Sequence, residues 1–303
     1  MTLEMTNAAP LQCLNADDNL LSSSDAPFPP HSIALTTLSD GLSIFGRGTN
    51  GKGVLLVHGV TGSPVEMKYI AKRLHRAGYT VYAPLLAGHG IDVATLRATR
   101  WKDWYRTVQH AADWLADRVD HVYVAGICVG GMIGLRLAHQ NKSIKAAAVY
   151  SPLLVYDGWN APYHYRLGRI TVRVAVRLGF SRFIALKERA PYGIKSDRIR
   201  RLIAERENGI RGTLPAFPVD TLHQNYKLFD VVKRILPEIQ TPTLLVHARQ
   251  DDLSSPRNPL YIKRHIGGRC EIEWLENSYH MIHVDQEHAH VADRTRAFFD
   301  AVA

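Results

Sequence analysis

The chain has 303 residues, 46% of them hydrophobic and 21% charged, and 37 Lys and Arg against 28 Asp and Glu give it a formal net charge of +9. This length and apolar content suffice to bury a full core in one large domain, or in a domain with an insertion, which excludes disorder of the whole. Three cysteines, Cys13, Cys128 and Cys270, are too few and too scattered for a disulfide framework, and no Cys-x-x-Cys pair suggests zinc. The N-terminus has no basic segment followed by an apolar stretch, and no window approaches the roughly 18 uninterrupted apolar residues of a membrane span; the expected location is the cytoplasm.

Residues 1–30 are rich in Ser, Asn, Asp, Ala and Pro and end in SSSDAPFPP, the composition of a mobile leader. From Ser32 to Arg47, two short β-like runs flank Ser39-Asp40-Gly41, a hairpin signal. VLLVHG (54–59) reads as a strand, PVEMKYIAKRLHRAG (64–78) as an amphipathic helix closed by Gly78, TVYAPL (80–85) as a strand and 101–118 as a helix. In that last helix Trp101, Trp104 and Trp114 fall at core spacings. HVYVAGICVGGMIGLRLAH then runs from a β-branched segment through Gly126-Ile127-Cys128-Val129-Gly130 into helix-forming residues. KAAAVYSP (145–152), TPTLLVHARQ (241–250) and CEIEWLEN (270–277) read as strands, with helices at 257–266 and 286–302. Alternation of this kind predicts an α/β fold, a mostly parallel central sheet with helices on both faces. Residues 153–235 interrupt it, with no convincing β-run and with amphipathic stretches such as YRLGRITVRVAVRLGF. They predict a helical lid over the carboxyl edge of the sheet, inserted into a core of 31–152 and 236–303.

Cys128 is the most telling position. Strand, Gly-x-Cys-x-Gly turn and helix make the context of a nucleophile elbow, in which Gly126 and Gly130 lack the Cβ atoms that would obstruct a sharp turn. A thiol at neutral pH is mostly protonated and needs a base, which a histidine held by a carboxylate supplies. Asp251 follows one later strand, and His280 follows the next. The order nucleophile, acid, histidine is that of the α/β-hydrolase fold. Asp252 is adjacent, and residue chemistry alone does not separate it from Asp251. His58 and His89 read as residues that hold loops together. His280, His283, His288 and His290 straddle a loop and a helix without a Cys or a second acid cluster, so neither a metal nor another cofactor is expected.

From Gly53 onward the chain resembles bacterial carboxylesterases and monoacylglycerol lipases of the α/β-hydrolase superfamily, the serine aminopeptidase S33 type. The matching pieces, in order, are LLVHGVTGSP, YTVYAPLLAGHG, VAGICVGG, HARQDDLSSP and SYHMIHVDQE. The resemblance implies ester hydrolysis under a lid, Asp251 as the acid, His280 as the base, and the backbone N–H groups of Val60 and Val129 as oxyanion donors. The departure is Cys128, where the family carries serine. Cysteine at this turn is similar to the nucleophile of polyhydroxyalkanoate synthases and of some lactone-forming thioesterases.

A cysteine acyl-enzyme is itself a thioester. Its formation from another thioester is nearly balanced, and it is open to water, an alcohol or an amine. Three readings therefore stand: hydrolysis of esters or thioesters of an apolar acyl group, acyl transfer or cyclisation from an acyl carrier protein or coenzyme A, and a non-catalytic binding protein on a hydrolase scaffold. Between residues 160 and 211 there are 13 Lys plus Arg against 4 Asp plus Glu, a surplus of nine that equals the net charge of the whole chain. Arg166, Arg169, Arg173 and Arg177 recur at helical spacing beside Leu167, Ile170, Val174 and Leu178. They read either as a solvated face or as a docking surface for coenzyme A, an acidic carrier protein or an anionic membrane surface. No recognised nucleic-acid motif accompanies them, and no such partner is expected.

Overall fold

The computed structural model describes residues 35–161, 168–187, 190–204 and 210–302. The expected leader at 1–30, Cys13, Arg166 and Leu167 lie outside the described residues. Eight strands form one sheet: Thr36–Thr37 (β1), Ile44–Gly46 (β2), Lys52–Val57 (β3), Thr80–Ala83 (β4), His121–Ile127 (β5), Ile144–Tyr150 (β6), Thr243–Ala248 (β9) and Cys270–Leu275 (β10). Their order is β1-β2-β4-β3-β5-β6-β9-β10. β1 and β2 make the expected hairpin, closed by the Asp40 carboxylate, which accepts from the amides of Leu42 and Ser43 at 2.9 and 2.7 Å. β2 also pairs antiparallel with β4, and the remaining pairings of this sheet are parallel.

Parallel strands covered on both faces read as unbroken apolar runs rather than alternating ones. Val54, Leu55, Leu56 and Val57 of β3 are all wholly buried, and β6 and β9 are nearly as dry. The covering helices are Lys68–Arg76 (α1), Val93–Ala98 (α2), Trp101–Ala116 (α3), Val129–Gln140 (α4), Arg257–His265 (α8) and His288–Val302 (α9). α1 packs against α9, and α4 against α3. The helix read at 64–78 is divided: Pro64 begins a 3₁₀ turn to Met67, and α1 stops at Arg76 before Gly78 at φ 91°. α2 has only six residues, too few for a periodicity to register, and is set by Asp92, whose side chain caps Thr95 N at 2.7 Å.

Between β6 and β9 the insertion holds Gly168–Arg177 (α5), Asp197–Ala204 (α6) and Val219–Ile235 (α7), together with Ala185–Lys187 (β7) and Ala216–Pro218 (β8). β7 and β8 pair antiparallel, with Leu186 opposite Phe217, which corrects the expectation of no strand in this interval. Three-residue runs carry no readable alternation, and their pairing is decided by tertiary contact. α7 packs both on α4 of the core and on α5 of the insertion. Among the described residues no helix is long and apolar enough to cross a membrane.

Candidate active site

Register brings the carboxyl ends of the parallel strands to one edge. Val57 lies beside Gly126, Ile127 beside Tyr150, Tyr150 beside Val246, and Ala248 beside Leu275. Cys128 follows β5 at this edge, Asp251 follows β9, and His280 follows β10, where open parallel sheets generally bind ligands.

Cys128 links β5 directly to α4 with φ 54° and ψ −117°, a conformation that L residues rarely adopt and that costs about 1–3 kcal/mol. Its amide donates to Tyr150 O at 2.9 Å, and its carbonyl accepts from Met132 N at 3.1 Å. The elbow glycines are required by contact. A Cβ on Gly130 would stand 2.4 Å from the carbonyl oxygens of Val57 and His58, and one on Gly126 would stand 2.6 Å from the Gly130 carbonyl carbon. The helix start is thus pressed against the end of β3, three residues before Val60. Val129 opens α4 at the same edge.

Nδ1 of His280 lies 2.8 and 3.0 Å from the two oxygens of Asp251, all within a buried pocket. Asp251 Oδ1 also accepts from Leu253 N at 2.8 Å and Ser254 N at 2.7 Å. Burial alone would lower the His280 pKa, but the Asp251 carboxylate and interaction with the Cys128 side chain hold it well above 6.5. Burial would likewise raise Asp251, and the charge of His280 reverses this, keeping it below the usual carboxylate range. Nε2 of His280 is buried without a hydrogen-bond partner of good geometry, on a ring that interacts with the Cys128 side chain.

Asp252 has a different place. Its oxygens accept from the backbone amides of His280 and Gly193, each at 3.2 Å, and burial raises its pKa. It ties the insertion to the His280 loop and, among the described residues, bonds no imidazole nitrogen. Ser151 supports the same loop, donating to the His280 carbonyl at 2.6 Å.

The loop after β3 is held by Glu66, which was not assigned from sequence, and by His58, which was read there as a residue that holds loops together. Buried Glu66 accepts from Gly59 N at 2.7 Å and lies 3.9 Å from His283. Ser63-x-x-Glu66 has the spacing of a capping box, which hides this longer reach. His58 Nε2 accepts from Leu86 N at 3.1 Å, which places its proton on Nδ1, 2.8 Å from Gly59 O; the ring joins two loops. The other histidines diverge: His288 bonds Asp285 O, and His290 bonds Glu273 at 2.8 Å. Among the described residues no group of His, Cys, Asp or Glu is arranged to hold a metal.

The basic face read from the sequence divides as well. Arg169 is paired with Asp230 of α7 and lies 5.8 Å from the Tyr226 ring centroid, whereas Arg173 and Arg177 are exposed.

Sheet order, strained elbow and the imidazole–carboxylate pair at the carboxyl edge define an α/β-hydrolase. The chain belongs to the serine aminopeptidase S33 family, whose model matches residues 49–287. It is similar to the thermostable monoacylglycerol lipase of Bacillus sp. (strain H-257), 28% identical over 253 residues that cover 82% of this chain and 90% of the relative. It is also similar to the carboxylesterase of Bacillus subtilis (strain 168), 26% identical over 239 residues, 78% of this chain and 87% of the relative. A solved structure of the LipS and LipT metagenome-derived lipolytic enzymes aligns with a TM-score of 0.72 at 26% identity, covering 88% of this chain and 100% of that one. The monoacylglycerol lipase of Paleococcus ferrophilus shares the fold, with a TM-score of 0.69 at 17% identity over 89% of this chain and 98% of that one. The chain is an enzyme of the α/β-hydrolase superfamily.

Proposed function

We propose that this enzyme hydrolyses carboxylic esters or thioesters of an apolar acyl group through Cys128, His280 and Asp251, by way of a covalent acyl-enzyme. The observation that carries the reading is the strained backbone of Cys128 at the strand-to-helix turn, beside an imidazole whose other face is held by a buried carboxylate. The thiol proton passes to Nε2 of His280, in keeping with the raised affinity of that imidazole for a proton, and the thiolate sulfur attacks the acyl carbonyl carbon. Charge develops on the carbonyl oxygen, where the N–H groups of Val60 and Val129 serve as donors; removing one such donor typically costs about 3 kcal/mol of barrier. Collapse expels the alcohol or thiol, which leaves with the proton from Nε2, and a thioester remains on Cys128. Water attacks that thioester as Nε2 takes its proton, and the thiol is regenerated with release of the acid.

The reading is supported by the names of the ester-hydrolysing relatives and by the thiol's own chemistry, which favours thioester donors. Its test is intact-mass spectrometry after exposure to a panel of short acyl esters and thioesters. An adduct of one acyl mass should form on the native chain and be lost in Cys128→Ala together with turnover. Full turnover by Cys128→Ala would remove the assignment.

A further inference from the structure

Helix α5 buries only Gly168 and Val172 on its inner side. Its apolar stripe faces water: Ile170 is 65% exposed and Leu178 62%, and in the turn that follows Phe180 is 59% and Phe183 74% exposed. Ile170, Val174, Leu178, Phe180, Phe183 and Ile184 line one shallow groove of about 620 Å³. Large side chains gathered on one face in this way mark an interaction site. The surroundings are basic. Arg173, Arg177 and Arg182 are exposed, and among the described residues no carboxylate pairs with them. The Arg182 guanidinium lies 4.6 Å from the Phe183 ring centroid.

We propose that this face of the insertion docks on an anionic phospholipid surface, with the aliphatic and aromatic side chains entering the headgroup boundary and the arginines meeting phosphate. Aromatic and branched residues flanked by arginine are the composition of a helix that lies in a membrane interface, and ten residues are too short to span one. Charge complementarity selects this occupant. A second copy of the chain packed on the same patch would bring the arginines of both against one another, a like-charge juxtaposition. Coenzyme A would satisfy the arginines and leave the phenylalanines and leucine in water. The inference does not rest on the chemistry assigned to Cys128.

The test is flotation of the full chain with vesicles of phosphatidylcholine, with and without about a third phosphatidylglycerol, at about 0.05 and 0.5 M salt. The native chain should float with the anionic vesicles at low salt and far less with the neutral ones. Phe180→Ser with Phe183→Ser should weaken this partition more than about tenfold at both salts, since the apolar burial of both rings is lost and does not depend on salt. Arg173→Glu with Arg177→Glu should weaken it about tenfold or more at low salt and little at high salt. All four side chains are exposed, so both variants should keep the native melting curve and the turnover of a short soluble ester. Failure of the native chain to float with anionic vesicles overturns the proposal. So does a native dimer that dissociates in the phenylalanine variant, which would assign the face to a second copy. Undiminished flotation of both variants, with a raised Michaelis constant for a long-chain ester in the phenylalanine variant, would overturn it in favour of an acyl-binding role.

Discussion

Acidification from neutrality to about pH 5 should destabilise the fold before most carboxylates titrate. His89 and His283 are buried, and burial holds their pKa values at about 4 and about 3, against 6.5 for a free imidazole; the neighbouring His280 lowers His283 further. The unfolded chain takes up these two protons below 6.5 and the folded chain does not, so stability present above 6.5 is lost as pH falls towards the folded values. At about pH 5 each imidazole then costs about 2 kcal/mol, on the order of 4 kcal/mol together, against a total stability of roughly 5–15 kcal/mol. His58, lowered by burial and by His89, acts in the same direction. His280 has the opposite sign: its raised pKa contributes fully below 6.5 and fades only as pH rises through its folded value, so it does not offset the loss in this window. The assay is thermal unfolding followed by tryptophan fluorescence from about pH 7 to about pH 5, with an expected fall in the midpoint on the order of 10 °C. His283→Gln should flatten that dependence by about one proton. A midpoint that stays level over this range would refute the assignment of these imidazoles as buried and neutral.

Two substitutions at the site discriminate further. Asp251→Asn should lower kcat/KM by about three to four orders of magnitude, as loss of the orienting carboxylate does in the serine-protease template. Asp252→Asn, which disturbs only amides of His280 and Gly193, should lower the melting midpoint more than it lowers turnover; equal kinetic losses would defeat the distinction. Glu66→Ala leaves Gly59 N without its acceptor in the loop before Val60, so kcat should fall about tenfold with little change in KM. Glu66→Gln, which keeps an acceptor oxygen, should recover most of that loss, and no difference between the two would mean that Glu66 acts only through packing.

The sheet was legible because its interior strands carry the signature of two-sided burial: VLLV, AAAVY and TLLV are unbroken apolar runs. The elbow was legible because only glycine tolerates 2.4–2.6 Å approaches at Gly126 and Gly130, and that need writes itself into the chain as spacing. What escaped is non-local. Arg169 meets Asp230 across 61 residues, and no feature of α5 alone separates it from Arg173 and Arg177. Periodicity showed that Ile170, Val174 and Leu178 share a stripe, but a stripe does not tell whether protein or water covers it. Ser63 caps the 3₁₀ turn at Val65 N as its spacing suggests, while the Glu66 carboxylate reaches beyond the turn to Gly59.

Strain gathers around the site from three directions. Among the described residues, Cys128, Ser151 and Tyr192 are the non-glycine positions with positive φ, at 54°, 43° and 56°. Cys128 is the elbow itself. Ser151 donates to the His280 carbonyl, and Tyr192 precedes Gly193, whose carbonyl accepts from Met281 N at 2.7 Å while its amide donates to Asp252. Each such residue costs about 1–3 kcal/mol and persists only where its surroundings over-determine it. Here the surroundings are the tight glycine contacts under the elbow and the buried carboxylates on either side of His280. His280 is therefore held at its ring by Asp251, at its backbone amide by Asp252 and at its backbone carbonyl by Ser151. A residue fixed at one side-chain and two backbone points would, in the proposed reaction, keep its Nε2 aimed without reorganising, and the strain is consistent with such preorganisation.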